Sequence, residues 1–146
     1  MTTDPMDMTG SYLVGADLRE ANLMDMNLAY SDLSGANLTR ANLIGANLRN
    51  VNLQGAHLVG ALLTAANFYE AKLVGANLMD AQLDGAQLVR ADLMDAYLTG
   101  ANLLGANLQG ATLKGTSLRG ADMFDADLRE ACLRDVDMTG AIGIEL

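Results

Sequence analysis

The sequence predicts an all-β solenoid, and three features support that prediction: an unbroken five-residue repeat, a nearly uniform apolar composition and a fixed place for glycine. The unit Ala-Asn/Asp-Leu-x-x runs from residue 6 to residue 140 as 27 pentads without insertion or deletion. Leu fills the central position, named i, in 23 pentads, and Ala fills position i−2 in 20. Because 51% of the chain is apolar but only 4% is aromatic, we expect a core that repeats the same two side chains.

A period of five residues fits neither a long helix nor a long strand. On a helix, successive Leu residues would step by about 140° and leave no apolar stripe. In extended chain, positions i−2 and i share one face while i−1 points to the other. The chain must then turn before the next inward Ala, and Gly at i+2, present in fourteen pentads, supplies the positive φ of a type II turn. Each pentad is therefore predicted to be one short extended side and one corner.

The stretch Ala36-Asn37-Leu38, with many close copies along the chain, resembles the repeat of the pentapeptide-repeat proteins. The resemblance covers residues 6–140 and implies a right-handed quadrilateral parallel β-helix with four pentads per coil, or about 6.75 coils. At about 4.8 Å between stacked strands, such a rod is roughly 32 Å long. A single domain is expected over 6–140, with short terminal tails at 1–5 and 141–146.

The inward and outward positions have separate predicted roles. Phe68 takes the place of one inward Leu, and Ala65 and Ala66 are expected to leave room for its ring. The i−1 residues point outward, and under the four-sided arrangement they stack in columns twenty residues apart. One column is interpreted as a structural amide ladder that hydrogen-bonds from coil to coil. The predicted core ladder includes Leu38, Leu43, Leu48, Leu53 and Phe68, and the amide column comprises Asp7, Asn27, Asn47, Asn67, Gln87, Asn107 and Asp127.

Charge and composition argue against several classes of function. The net charge of −9 argues against binding nucleic acid through its phosphates, which requires a basic surface. The first residues lack the basic and apolar regions of a secretory signal, and no apolar run approaches the length of about 18 residues that spans a membrane. The lone Cys132 cannot form an internal disulfide, which fits a reducing compartment. We expect a soluble, cytoplasmic protein, and the resemblance suggests a bacterial source.

The sequence shows no catalytic or metal-binding pattern. His57 is the only histidine, and no second histidine or nearby cysteine could complete a transition-metal site with it. Cys132 has no histidine placed to activate it as a nucleophile. Asp122, Asp125 and Asp127 lie on different sides and corners and lack the spacing of an EF-hand. We therefore predict no enzyme activity, no cofactor and no metal.

An apolar column on one side of the rod is the predicted interaction surface. Thr64 and Asp84 interrupt the column. Aligned apolar side chains that face solvent can mark an interface, whereas single ones are common on any surface. The leading hypothesis is a non-enzymatic structural or protein–protein interaction module that contacts another protein, or a second copy, through a side or an end of the rod. The column comprises, at i+1, Met24, Ile44, Leu104 and Phe124, and it is joined at i−1 by Leu62.

The resemblance also implies an alternative, because some pentapeptide-repeat proteins are DNA mimics that occupy the DNA site of type II topoisomerases such as gyrase. The negative charge and the rod shape are compatible with this role. However, residues 33–69 and 96–121 contain no acidic residue, and the interrupting loops and dimerisation helix of such mimics are missing. The acids gather towards the two ends, where they are expected to discourage end-to-end stacking.

Overall fold

The computed structural model describes residues 6–145; the predicted N-terminal tail, 1–5, and Leu146 lie outside the described residues. The described chain contains no helix, and its β-structure consists of isolated parallel bridges, one residue per pentad. Twenty-four bridges run from Asp7↔Asn27 to Asp122↔Ile142, and each joins residues twenty positions apart. Stacked residues are therefore four pentads apart, which confirms the predicted β-solenoid.

Four sides, named A to D, are defined by the pentads that stack on them. Side A begins with residues 6–10, side B with 11–15, side C with 16–20 and side D with 21–25, and each side recurs every twenty residues. Within a pentad, i−1 and i+1 face outward, i+2 forms the corner to the next side, and i−2 and i face the core. A residue's position in the pentad and its side together specify its place on the surface.

Each turn of four pentads forms one level of the rod. Backbone hydrogen bonds between successive levels hold the rod together. The N–H of i−1 donates to the preceding level, and those of i and i+2 donate to the following level, as Leu38 N does to His57 O at 2.7 Å. The N–H of i−2 closes the corner, as Ala41 N does to Leu38 O at 2.9 Å. In the levels between the two ends of the described range, the N–H of i+1 is the only one in the repeat without a backbone acceptor.

The Asn or Asp at i−1 satisfies this remaining N–H. Its side-chain oxygen accepts a hydrogen bond from the backbone two residues later, as Asn77 Oδ1 does from Met79 N at 3.2 Å. All ten Asn and all seven Asp at i−1 make this contact. Asn and Asp have the right length for such a local bond, whereas Gln82 Nε2 instead donates to the backbone carbonyl two residues earlier, Asp80 O. The preference for Asn and Asp at i−1 therefore has a local backbone cause.

Removing one capping side chain is expected to weaken the rod measurably. We expect Asn77→Ala to lower the free energy of unfolding by about 0.5–1.5 kcal/mol, because the bond to Met79 N is lost. Asn77→Asp should be close to wild type, since Asp caps this position in other pentads. His57→Ala is the matched control, because His57 is exposed one level earlier in the same column and is not among the caps. An equal loss for both Ala variants in urea denaturation would contradict the capping role.

The predicted amide ladder on side A is present only in part. Asn47 Nδ2 donates to Asn27 Oδ1 at 3.0 Å, and a similar contact joins Asn27 to Asp7 at 3.2 Å. In the middle of the column, Asn67 Oδ1 accepts from the backbone N of Tyr69 at 3.0 Å. Contacts between levels therefore supplement the capping bonds within each pentad.

The core is built from Leu at i and Ala at i−2. The five residues of the predicted core ladder are at most 1% exposed. Ala65 does not make room for Phe68, because Ala65 occupies an exposed corner, whereas Ala66 lies in the core. Thr116, a buried polar residue in place of Ala, donates from Oγ1 to Leu93 O at 2.7 Å. No buried side-chain polar atom of the described residues lacks a hydrogen-bond partner.

Every corner residue at i+2 has a positive φ, between 53° and 72°, whether or not it is Gly. Fourteen of these corners are Gly and thirteen are not. A side chain in this left-handed region costs roughly 1–2 kcal/mol, because its Cβ crowds the backbone. The non-Gly corners therefore carry strain that the stacking of the levels offsets.

A reciprocal pair of substitutions on one corner tests this strain. Ala65 has a φ of 57°, and Gly85 stacks on it one level later with a φ of 65° and open space where a Cβ would lie. We expect Ala65→Gly to raise the free energy of unfolding by about 1 kcal/mol and Gly85→Ala to lower it by a similar amount. Urea denaturation measures both changes, and two shifts of the same sign would contradict the explanation.

The two ends of the rod are less well covered than its middle. Leu13 and Leu133, one near each end, are only half-buried. The bridge at Ile142 extends the stacking into the predicted C-terminal tail, 141–146. Gly143 then stands where the repeat has Leu, with a φ of 71°, and Ile144 packs against the core. The C-terminal end is thus closed in part by a single Ile side chain.

Candidate interaction surfaces

All five residues of the predicted interaction surface lie on side D. Four of them expose their side chains, whereas Ile44 is half-buried. Thr64 Oγ1 donates to Asp84 Oδ1 at 2.9 Å, and this polar pair divides the apolar column into two parts. The exposed members are Met24, Leu62, Leu104 and Phe124.

The C-terminal part of side D contains an exposed apolar residue that the sequence prediction missed. Ile142 is 52% exposed and follows Phe124, also 52% exposed, and Leu104, 44% exposed, on successive levels. A Cβ on Gly143 would collide with the backbone N and Cα of Phe124 and with its Cγ, so the missing side chain lets Phe124 lie close against the last level. Ile142 was missed because it lies in the segment predicted to be a tail. We name this region the D patch: Leu104, Asp122, Phe124, Asp125, Ile142 and Glu145.

Charge is distributed unevenly among the four sides. Sides A, B and C each carry four acidic residues and three Lys or Arg residues. Side D carries five acidic residues and no Lys, Arg or His. Side D is therefore the source of more than half of the net charge of −9. Its acids are Asp25, Asp84, Asp122, Asp125 and Glu145.

The salt bridges involve acids of two of the four sides. None of the five acids of side D forms a salt bridge with another residue of the described range 6–145. The five salt bridges that do occur are solvent-exposed and involve acids of sides A and C alone. They are Arg19–Asp17, Arg40–Glu20, Arg90–Glu70, Arg119–Asp137 and Arg129–Asp127. The acids of side B form no salt bridge either, but side B carries three Lys or Arg residues, so side D alone has acids and no basic residue on the same side.

Hydrogen bonds keep several acids near the ends ionised. The Arg19 side chain donates to the Asp17 carboxylate and lowers the pKa of Asp17 to about 2. An equivalent Arg two residues later lowers the pKa of Asp127 to about 2. The Thr139 hydroxyl is the main cause of the lowered pKa of Asp137, about 2. These carboxylates are therefore charged at neutral pH.

An open cavity of about 480 Å³ lies at the C-terminal end of the rod. It is the exposed cross-section of the last level, and its apolar part is continuous with the core. The lining combines apolar residues with charges of both signs: Ala126, Asp127, Leu128, Arg129, Glu130, Leu133 and Glu145. This end offers a second surface to a partner, although a less distinctive one than side D.

The remaining chemistry-bearing residues do not assemble a site. His57 and Cys132 are both exposed, and they lie on different sides. Within residues 6–145, no three His, Cys, Asp or Glu side chains are grouped so that they could hold a metal ion. The described part of the chain also has no helix long and apolar enough to cross a membrane.

The comparisons with known proteins agree with the repeat geometry. A family model described as pentapeptide repeats (8 copies) matches residues 7–43, 41–78, 76–115 and 101–140. The chain belongs to the pentapeptide-repeat family. A search of curated proteins finds no match for this pentapeptide-repeat protein.

Two solved structures show the extent of the similarity. HetL from the cyanobacterium Nostoc sp. strain PCC 7120, a pentapeptide-repeat protein involved in heterocyst differentiation regulation, is 33% identical, with a TM-score of 0.51. That alignment covers 93% of this chain and 76% of HetL. QnrB1, a plasmid-mediated fluoroquinolone resistance protein, is 20% identical, with a TM-score of 0.59 over 89% of this chain and 77% of QnrB1. At this identity, the likeness to QnrB1 shows the fold alone.

The consensus residues of the repeat have structural roles in this pentapeptide-repeat protein. Ala and Leu fill the core, Asn and Asp cap the backbone, and Gly occupies corners with positive φ. Specific recognition must therefore come from the variable outward positions, i+1 and the atypical i−1 residues. When the non-Gly corners and the acidic i−1 residues are included, side D has the exposed surface that is both most apolar and most acidic.

Proposed function

We propose that this protein is a non-enzymatic interaction module, a β-helical rod that binds another protein through side D. The observation that carries the proposal is the combination on side D of an exposed apolar column with unpaired acids and no basic residue. Aromatic and Met side chains such as Phe124 and Met24 are enriched in the contact surfaces of proteins. A right-handed rod of about 6.75 coils presents this side as a continuous face.

The dimensions of one side support a stable contact. The chain exposes 7016 Å² in total. One of the four sides then offers on the order of 1,000 Å², compared with about 800 Å² that each partner buries in a standard-size interface. A single side is thus large enough for specific binding without a contribution from the ends.

Charged substitutions in the apolar column test the proposal. The double variant Ile44→Asp/Phe124→Asp should keep the circular dichroism spectrum of the wild type, because both side chains point outward from the core. It should lose association with the protein that co-purifies with the wild type from the source cell, measured by sedimentation velocity. Val59→Asp/Tyr97→Asp on side C is the matched control, since Val59 is half-buried and Tyr97 is 53% exposed. If the side D variant and the co-purifying protein gave the same sedimentation profile as the wild-type complex, the proposal would be contradicted.

The alternative role is a DNA-mimicking modulator of a type II topoisomerase such as gyrase. The unpaired acids of side D favour it, because a mimic must present negative charge to a basic DNA-binding surface. The mixed charges of sides A, B and C are unlike the uniform charge of DNA. A gyrase supercoiling assay decides between the two roles. Inhibition by the wild type that is lost in Asp122→Asn/Asp125→Asn would favour the DNA mimic. No effect of the wild type on gyrase would exclude the DNA-mimic role.

A cytoplasmic location and a bacterial source are part of the same proposal. The cyanobacterial origin of HetL supports the source. The single exposed Cys132 supports a reducing compartment. Cell fractionation with an antibody against the protein tests the location, and recovery outside the cytoplasm would contradict it.

A further inference from the structure

We infer that the D patch binds a cationic amphipathic segment of another protein, in which apolar side chains are flanked by Lys or Arg. The inference rests on the proposed function and adds the chemistry of the partner. The D patch is the only part of side D where three exposed apolar residues on successive described levels are bordered by acids.

The apolar part of the patch has the form of a short ridge. Leu104 and Phe124 occupy position i+1 on successive levels, and Ile142, at i−1 on the next level, stacks on Asp122 beside Phe124. All three side chains are about half exposed. Levels stack about 4.8 Å apart, so the ridge extends roughly 10 Å along the rod. Two turns of an α-helix rise about 11 Å, so one apolar stripe with i, i+3/i+4 and i+7 spacing matches the ridge in length.

The acids that border this ridge form no salt bridge within the described residues. Asp122 precedes Phe124 on the same side, and its Oδ1 accepts from Phe124 N at 3.1 Å, which leaves the second oxygen to an external donor. Asp125 and Glu145 are exposed at the adjoining corner on successive levels. None of these three acids is in a salt bridge within the described chain.

The neighbouring sides do not neutralise the patch. Arg119 on side C and Arg129 on side A are the nearest basic residues along the chain, and each is paired with its own acid, Asp137 and Asp127. The patch therefore attracts positive charge from outside. A ligand that supplied only apolar contact would leave these acids desolvated and unpaired, which is costly.

Other occupants fit the patch less well. A second copy of this chain, docked face to face through side D, would bring acids against acids with no basic residue to pair them. Nucleic acid and anionic lipid are repelled for the same reason. A basic protein segment satisfies both the apolar ridge and its acidic border.

A synthetic peptide probes this chemistry directly. The probe is an 18-residue Leu–Lys peptide with its Leu residues on one helical stripe, fluorescently labelled and titrated with the full chain. Fluorescence anisotropy should show saturable binding. A scrambled peptide of the same composition should bind with an affinity at least about tenfold lower, and the matching Leu–Glu peptide should not bind. No binding of the Leu–Lys peptide, or equal binding of the scrambled one, would overturn the inference.

Two pairs of variants locate the contact. Asp122→Asn/Asp125→Asn should weaken peptide binding about fivefold or more, and Phe124→Ala about tenfold. The matched controls are Asp92→Asn/Asp95→Asn, at the same two pentad positions on side B, and Tyr97→Ala on side C. These controls should stay within about twofold of wild type. If the control Asp→Asn substitutions lowered the affinity for the peptide equally, the effect would come from net charge alone, and the inference would be overturned.

The outcomes separate this inference from the proposed function. If Ile44→Asp/Phe124→Asp abolishes association with the native partner but Asp122→Asn/Asp125→Asn does not, side D binds a partner that is not basic. In that case the inference falls and the proposed function stands. If the Asp substitutions at Ile44 and Phe124 leave native association intact, the proposed function falls whatever the peptide does.

Discussion

Phe68→Ala is expected to lower the free energy of unfolding by about 3–5 kcal/mol, among the largest effects of any single substitution in this chain. Phe68 is fully buried and stacks between Leu48 and Leu88, which are also in the core. The backbone hydrogen bonds that join successive levels fix their separation, so neighbouring side chains cannot move in to fill the cavity. The loss should appear as a lower midpoint in urea denaturation with a circular dichroism readout.

Two further substitutions make this prediction specific to the packed interior. Phe68→Leu restores the residue that the repeat has elsewhere and should cost about 1.5 kcal/mol or less, since most of the volume is kept. Leu13→Ala should cost clearly less than Phe68→Ala, because Leu13 is half-buried near the N-terminal end. Equal losses at positions 13 and 68 would contradict the view that the middle of the rod is the best-packed part.

Deleting the single residue Gly75 is expected to disrupt the rod, whereas deleting the whole pentad 71–75 is expected to leave it folded. Loss of one residue shifts every later residue by one position, so that Asn or Asp takes the inward place of Ala and Leu moves to the outward position i−1. Burying such polar groups, together with the exposure of Leu, should cost more than about 4 kcal/mol. Loss of five residues moves later pentads to the preceding side but keeps Ala and Leu inward.

Thermal melting with a circular dichroism readout distinguishes these deletions. The pentad deletion should melt cooperatively at a moderately lower temperature, because one side and its contacts are gone. The single deletion should show a broad transition or none. Similar melting of the two proteins would mean that the pentad is not the structural unit, which would contradict the repeat architecture of the rod.

The architecture was predictable because each pentad specifies its own conformation. Position i−2, position i and the corner at i+2 follow from alternation and turn chemistry within five residues, and the same argument then applies to every copy. A period of five does not by itself determine how many pentads make one turn of the solenoid. That number came from the family resemblance, and the twenty-residue spacing of the bridges agrees with it.

Other features were not predictable from the residues alone. The capping of i+1 N–H groups was missed because the sequence suggested hydrogen bonds between levels. In the structure, every Asn and Asp at i−1 accepts a hydrogen bond from the i+1 N–H of its own pentad. Ala65 looked close to Phe68 in sequence, but a corner separates the two residues in the structure. Ile142 lies beyond the last complete repeat and was therefore assigned to a tail.

The charge pattern of side D was hidden for a different reason. Counting charge along successive segments places the acids near the two ends of the chain. Once residues are grouped by side, acids that are twenty or more positions apart, such as Asp84 and Asp125, lie on one face without any basic residue. The candidate site is thus a property of the winding, which brings distant residues together.

Photo-crosslinking from side D is the most direct test of the claim that this face binds a protein. A photoreactive phenylalanine analogue would replace Phe124 in the D patch and, in a separate protein, Tyr97 on side C, which is equally exposed at 53% against 52%. We predict that irradiation in the source cell yields a discrete covalent adduct from position 124 and none from position 97. Absence of an adduct from position 124, or the same adduct from both positions, would contradict the assignment of function to side D.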